Sequence, residues 1–350
     1  MRLPNSIPSA LLAAALLAAL PQSDACAQTD ARAAMPRLHH VGLNSIDPDR
    51  AIDWYLRVWP AAKRTRVAGF PAVEGEMLLL INKVSRPPAG AWRDDLHRSD
   101  PQSAFWHIGA FTNTTDLAAR LKTVGITHLP LFIAPNDPRT VWRSGLAPYQ
   151  GSLTAKQIAV AESSGPRDGG FSYVVGPDGV LFELTGGPNT RDSFSHVHFF
   201  HSQPLCTANW YVEHLGMELP PVRDSAGVET PRQPWSPCAA PTSDEAGWPS
   251  LEPIGTLRQP AGAVRFGNGS MSFYPRQCIG DRCGRDQPLI PSRGQALDHV
   301  AFTVVDLDAL LERLRRAGVK VIEEPHPFAD TRAFMIEGPD GLSIELVERR

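Results

Sequence analysis

Histidine is scarce in this chain, 11 of 350 residues, yet four histidines open closely similar short segments: His40-Val41-Gly42-Leu43, His107-Ile108-Gly109-Ala110, His196-Val197-His198-Phe199 and His299-Val300-Ala301-Phe302. Two glutamates recur as regularly. Glu183 and Glu345 each stand seven residues after the first glycine of a Gly-Pro-Asp-Gly turn (Gly176 and Gly338), inside an otherwise apolar run. An isolated histidine at the start of a strand is ordinarily a core residue, and a strand glutamate ordinarily faces water. Recurrence at matching places argues instead for ligands, because neutral imidazoles and a carboxylate together suit divalent metals such as Fe(II), Mn, Zn or Ni.

The elements that must position these groups repeat as well. Each His segment is a β-rich run followed by a polar turn, such as Asp47-Pro48-Asp49 or Ser202-Gln203-Pro204, and then by a helical pattern. Trp54-Tyr55 follows His40 by 14 and 15 residues, and Trp210-Tyr211 follows His196 by the same spacing. The second and fourth segments share Leu117-Ala118-Ala119-Arg120-Leu121 and Leu310-Leu311-Glu312-Arg313-Leu314, running to Gly125 and Gly318. The order is A, B, A′, B′, and each B unit ends in a Pro-Asp-Gly hairpin. By strand alternation His198 shares a face with His196, as a contact to substrate or to the metal ligands, whereas His39 points away from His40 and is expected to be exposed. His201, His214 and His326 fall in turn or helix contexts and are expected at the surface.

Over residues 37–348 this combination resembles the vicinal oxygen chelate superfamily of glyoxalases, extradiol dioxygenases and bleomycin-resistance proteins. The resemblance implies an α+β fold of four βαβββ units forming two tandem modules, 28–190 and 191–350. It places metal ligands on the first strand of each unit and the last strand of each B unit. His40, His107 and Glu183 then form one set, and His196, His299 and Glu345 the other, while the pairing of halves across the cups is left open. A metal so held would chelate two adjacent substrate oxygens. Typical glyoxalase I proteins add a glutamate from the last strand of the A unit, but Met77–Ile81 and Met271–Tyr274 contain no carboxylate, so glyoxalase I proper is disfavoured. The extradiol signature puts a tyrosine ten residues before the glutamate; Tyr173 matches, and Met335 stands at the corresponding place. Tyr173 is therefore the expected catalytic residue, bonding a chelated substrate oxygen, and its site is expected to dominate. The implied function is a metal-dependent lyase, isomerase or dioxygenase acting on a small oxygen-chelating or aromatic compound. The alternative is a metal-free sequestering protein.

Composition bounds the rest. With 34 basic against 37 acidic residues and a net charge of −3, nothing provides a footprint for nucleic acid. A small-molecule ligand and a monomer or homodimer are expected. Residues 1–27 have the form of a secretory signal: Met1-Arg2, the apolar run Ala10–Leu20, and a cut site at Ala25-Cys26-Ala27. The chain is then periplasmic or secreted, with no membrane association after cleavage. Cys206, Cys238, Cys278 and Cys283 remain, enough for two disulfides in three connectivities. Cys278 and Cys283 flank a short turn, which leaves Cys206 to pair with Cys238.

Overall fold

In the computed structural model the described residues are 35–90, 101–113, 115, 117–126, 170–239, 261–274 and 289–349. The expected leader and the Cys278–Cys283 pair lie outside them. The first unit comprises β1 (Arg37–Ser45), α1 (Pro48–Val58), β2 (Lys63–Val67), β3 (Phe70–Glu74) and β4 (Leu78–Lys83). The second has β5 (Phe105–Phe111), α2 (Leu117–Thr123), β6 (Gly170–Val175) and β7 (Leu181–Gly186). In the third, β8 (Ser193–Phe200) and α3 (Pro204–Leu215) are followed by the short ribbon β9 (Val222–Arg223) and β10 (Glu229–Thr230), then β11 (Gly262–Phe266) and β12 (Gly269–Tyr274). The fourth is β13 (Leu297–Val304), α4 (Leu307–Arg316), β14 (Val321–Phe328), β15 (Thr331–Glu337) and β16 (Ser343–Glu348). None of the described helices is long and apolar enough to cross a membrane.

Local chemistry sets the element boundaries. Asp47 accepts from the Arg50 N–H and Asp306 from the Ala309 N–H, so α1 and α4 begin on side-chain caps. The repeated Pro-Asp-Gly turns place two consecutive residues at positive φ, 56° and 77° at Asp178-Gly179 and 55° and 73° at Asp340-Gly341, the backbone of a tight hairpin turn. Each turn aspartate also hooks the end of a first strand: Asp178 accepts from the Ile46 N–H at 3.3 Å and Asp340 from the Ser202 N–H at 2.8 Å. The repeated Trp-Tyr pairs anchor the core through their tyrosines. Tyr55 packs on Phe182, and Tyr211 stacks on Phe273 with ring centroids 5.1 Å apart. Cys206 and Cys238 form a disulfide that ties the start of α3 to the loop after β10.

Strand order does not follow chain order. One sheet of eight strands runs β14-β15-β16-β13-β1-β4-β3-β2, and one of six runs β11-β12-β8-β5-β7-β6. The first unit therefore joins the fourth through antiparallel β1 and β13, and the second joins the third through antiparallel β5 and β8. Each sheet curls around a line where two first strands meet, and the histidines lie on that line.

Two candidate metal centres

At both meeting lines the pairing register slips by one residue immediately before each first-strand histidine. In the first sheet the extra residues are His39 and Asp298, and in the second they are Trp106 and Ser195. A bulge of this kind re-aims the following side chain. The imidazoles thereby converge on the opposing strand: His299 lies over Gly42 and His196 over Gly109. A Cβ added at Gly42 would fall 2.0 Å from the His299 ring, and one at Gly109 would fall 2.4 Å from the His196 ring. Glycine is required at these two positions for close approach, since neither has a positive φ.

The first centre gathers His40, His299 and Glu345. His40 Nε2 is 3.0 Å from His299 Nε2 and 3.1 Å from Glu345 Oε2, and His299 Nε2 is 3.8 Å from the same oxygen. His299 donates from Nδ1 to Asp298 Oδ1 at 2.6 Å, which leaves its Nε2 lone pair facing inward. Glu345 Oε2 is buried and, although 3.1 Å from His40 Nε2, meets no donor at hydrogen-bonding angles. Two imidazole nitrogens this close to each other and to a buried carboxylate oxygen without a donor are what a cation needs. Metal–ligand bonds of about 2.1 Å put neighbouring ligands roughly 3.0–3.4 Å apart, a range that two of the three edges meet and that the 3.8 Å edge between His299 and Glu345 exceeds by a few tenths. A cavity of about 350 Å³ lies over this centre, walled by Phe70, Leu80, Phe328 and Met335. Arg293, held by Asp298 and Glu323, and His326 also line it.

The second centre gathers His107, His196 and Glu183, with His198 beside them. His107 Nε2 is 3.2 Å from His196 Nε2 and 3.0 Å from Glu183 Oε2, and His196 Nε2 is 3.3 Å from that oxygen. All three separations fall in the range that a divalent ion sets. His196 Nδ1 lies 2.8 Å from Ser195 Oγ. Trp106, the bulge residue before His107, packs edgewise on that ring at 4.4 Å and leaves His107 Nδ1 buried with no hydrogen-bond partner among the described residues. Tyr173 pairs across the strands with Glu183, as Met335 does with Glu345. The Tyr173 phenol bonds the Glu183 carboxylate itself, and burial together with that carboxylate holds it well above the ordinary phenol range.

Electrostatics keep both sets ready for a cation. Burial pushes His40 and His107 down to about 4, so both rings are neutral at pH 7. Burial alone would raise the glutamates, but the histidines more than offset it. Glu345 falls to about 2 through His40, His299 and His326, and Glu183 falls well below the usual carboxylate range through His196 and His107. Burial would likewise raise Asp298, which His299, Arg293 and the Gly294 N–H bring down to about 2. Burial, then His196 and His107, hold His198 well below its ordinary value.

All six expected ligands come together, but in other combinations. The sets His40–His107–Glu183 and His196–His299–Glu345 do not form. His40 joins His299 and Glu345, and His107 joins His196 and Glu183, because each sheet is built from two A and B units of opposite halves. His39 is not an outward residue: as the bulged position it turns toward its neighbour, and its Nδ1 is 2.7 Å from His40 Nδ1. His201 is fully buried and bonded to Asp340 at 3.0 Å. His326, on β14, reaches the cavity with its Nε2 3.6 Å from Glu345 Oε1. It pairs with Ala333 on β15, two residues before Met335, and is not the expected surface turn or helix residue. The flanking Pro325 and Pro327 read as loop residues, but β14 is a sheet edge, where proline is tolerated. As expected, no carboxylate comes from the last strand of an A unit; β4 gives Leu80 to the cavity wall.

Residues 193–346 match the family model of the Glyoxalase/Bleomycin resistance protein/Dioxygenase superfamily. The structure aligns with glyoxalase I from Zea mays at a TM-score of 0.53 and 15% identity, over 89% of this chain and 92% of that one. A glyoxalase I variant from Zea mays gives 0.53 at 16% identity over 93% and 96% of the two chains. A Bacillus subtilis chain described as a dioxygenase gives 0.49 at 10% identity over 89% and 84%. No curated protein sequence matches significantly. At these identities the likeness to the two Zea mays chains shows the fold alone.

Proposed function

Taking as premise that this chain belongs to the vicinal oxygen chelate superfamily, we propose that it is a divalent-metal-dependent enzyme. Its reaction takes place at the His40–His299–Glu345 centre, on a small compound that presents two adjacent oxygens. The observation that carries this reading is the convergence of the three ligand atoms, including the undonated Glu345 Oε2, beneath a cavity of about 350 Å³. That volume sits at the small end of ligand pockets. A divalent ion bound there supplies a Lewis acid that polarises the substrate oxygens. The chain supplies the rest. Asp298 fixes the His299 ring, and Phe70, Leu80, Phe328 and Met335 exclude water from one wall. His326, at the cavity edge, holds or moves a proton at Nε2. Arg293 offers a cation to an anionic substrate group.

This moves the expected seat of activity from Glu183 to Glu345. Tyr173, bonded to Glu183, acts on this reading as a positioning residue for a ligand and not as the group that touches substrate. The absence of an A-unit carboxylate at the cavity supports a reaction other than that of glyoxalase I proper. The Cys206–Cys238 disulfide supports residence in an oxidising compartment, periplasmic or extracellular, and N-terminal sequencing of the exported protein tests that assignment.

The functional test is a turnover screen of the metal-loaded protein on catechols, α-hydroxyketones and epoxides, followed by the two glutamate variants. Glu345→Gln should lose activity by about 100-fold or more, as expected on losing a metal ligand, while Glu183→Gln keeps most of it. Equal losses, or a larger loss in Glu183→Gln, would overturn the assignment. Saturable binding of such compounds without turnover and without metal would favour the sequestering role.

A further inference from the structure

We propose that the second centre is a four-ligand site in which His198 binds the metal together with His107, His196 and Glu183, and that this ion serves the fold and not turnover. The inference rests on the reading that both triads hold divalent ions. His198 occupies the place that Gly42 holds in the first unit, two residues beyond the first-strand histidine and on the same face of the strand. At the first centre that place is empty of side chain, and the opposing imidazole fills the space. At the second it carries another imidazole.

Three observations aim that ring at the ion's position, and a fourth concerns its carboxylate partner. A ring nitrogen of His198 lies within 4.8 Å of a ligand atom of each of the other three residues. The ring stacks on His196 with centroids 3.9 Å apart and meets His107 edge-on at 4.7 Å. No described residue forms a hydrogen bond with either of its nitrogens, although Trp106 and Tyr274 pack around it. Tyr173 meanwhile bonds the Glu183 carboxylate and so restrains it. Three imidazole nitrogens and one carboxylate fill all four positions of a tetrahedral Zn²⁺, whereas the three-ligand centre leaves positions for substrate.

The test is metal binding by the full chain, without recourse to activity. Zn²⁺ and Co²⁺ titrations of the wild type should give two ions per chain, of which a chelator removes one well before the other. The Co²⁺ absorption should contain two components of different coordination number. In a Glu345→Gln background, where the second centre alone retains its full ligand set, His198→Ala should weaken the remaining ion by more than the roughly 10–100-fold seen on losing an outer partner, and should shift its Co²⁺ spectrum. His198→Asn repeats the measurement with a side chain that occupies more of the same space, and the two-component wild-type spectrum needs no variant at all. An unchanged affinity and spectrum of the remaining ion in the His198 variants would overturn the four-ligand assignment alone. No ion at either centre would overturn it together with the functional reading beneath it.

Discussion

Where the first centre has Gly42, Asp298 and Met335, the second has His198, Trp106 and Tyr173, all on the same frame of two first strands and a returning glutamate strand. The frame fixes the triangle of donor atoms, whose edges run from 3.0 to 3.8 Å at the first centre and from 3.0 to 3.3 Å at the second. What differs is the surrounding chemistry. At the first, a carboxylate orients a ligand ring and small or apolar residues leave a cavity open. At the second, aromatic and imidazole side chains crowd the same volume. Ligand identity therefore says that a metal can sit at both centres, and on the proposed reading only the neighbours separate a reacting site from a holding one.

The comparison breaks most sharply at the two glycines. Gly42→Ala places a methyl in the His299 ring and should abolish metal at the first centre alone, a loss of about 100-fold or more in affinity. Gly109→Ala should do the same at the second through His196. Metal analysis of the purified variants should show one ion in each, against two in the wild type. Next in size, Asp298→Asn removes the carboxylate that holds His299 and should cost about 10–100-fold in affinity at the first centre. Ser195→Ala, which removes a neutral partner, should cost less than about 10-fold at the second; both are read by chelator competition.

The smallest effect concerns His201, which lies outside both centres. Burial lowers its pKa, with Asp340 partly offsetting, so the folded state binds a proton more weakly than the unfolded one. Stability from this group is full above the unfolded value of about 6.5 and is lost as pH falls from there toward its lower folded value. His201→Gln should shrink the stability difference between pH 7 and pH 5, measured by urea denaturation.

The repeats were legible because each level of the sequence agreed. Caps at Asp47 and Asp306, tyrosines at fixed spacing, and Pro-Asp-Gly turns needing two left-handed residues all mark the same four units. The ligands were legible for the same reason. Their partnership was not, since all four first strands carry nearly the same His-Val or His-Ile start, and local pattern does not choose which two edges meet. His39 was misplaced because alternation fails at a bulge, and a bulge has no signature in the residues flanking His40. His201 looked like a turn residue because it directly precedes Ser202-Gln203-Pro204. It is buried because Asp340, from a hairpin 139 positions away, closes over it.

The central claim is that each centre is assembled from opposite halves of the chain, and paired ligand removals test it most directly. If His40 and Glu345 serve one ion, the double variant His40→Ala/Glu345→Gln should still bind one Zn²⁺ per chain, while His40→Ala/Glu183→Gln should bind none tightly. The reverse result, with one ion kept by His40→Ala/Glu183→Gln and none by His40→Ala/Glu345→Gln, would contradict the account and restore the pairing of His40 with His107 and Glu183.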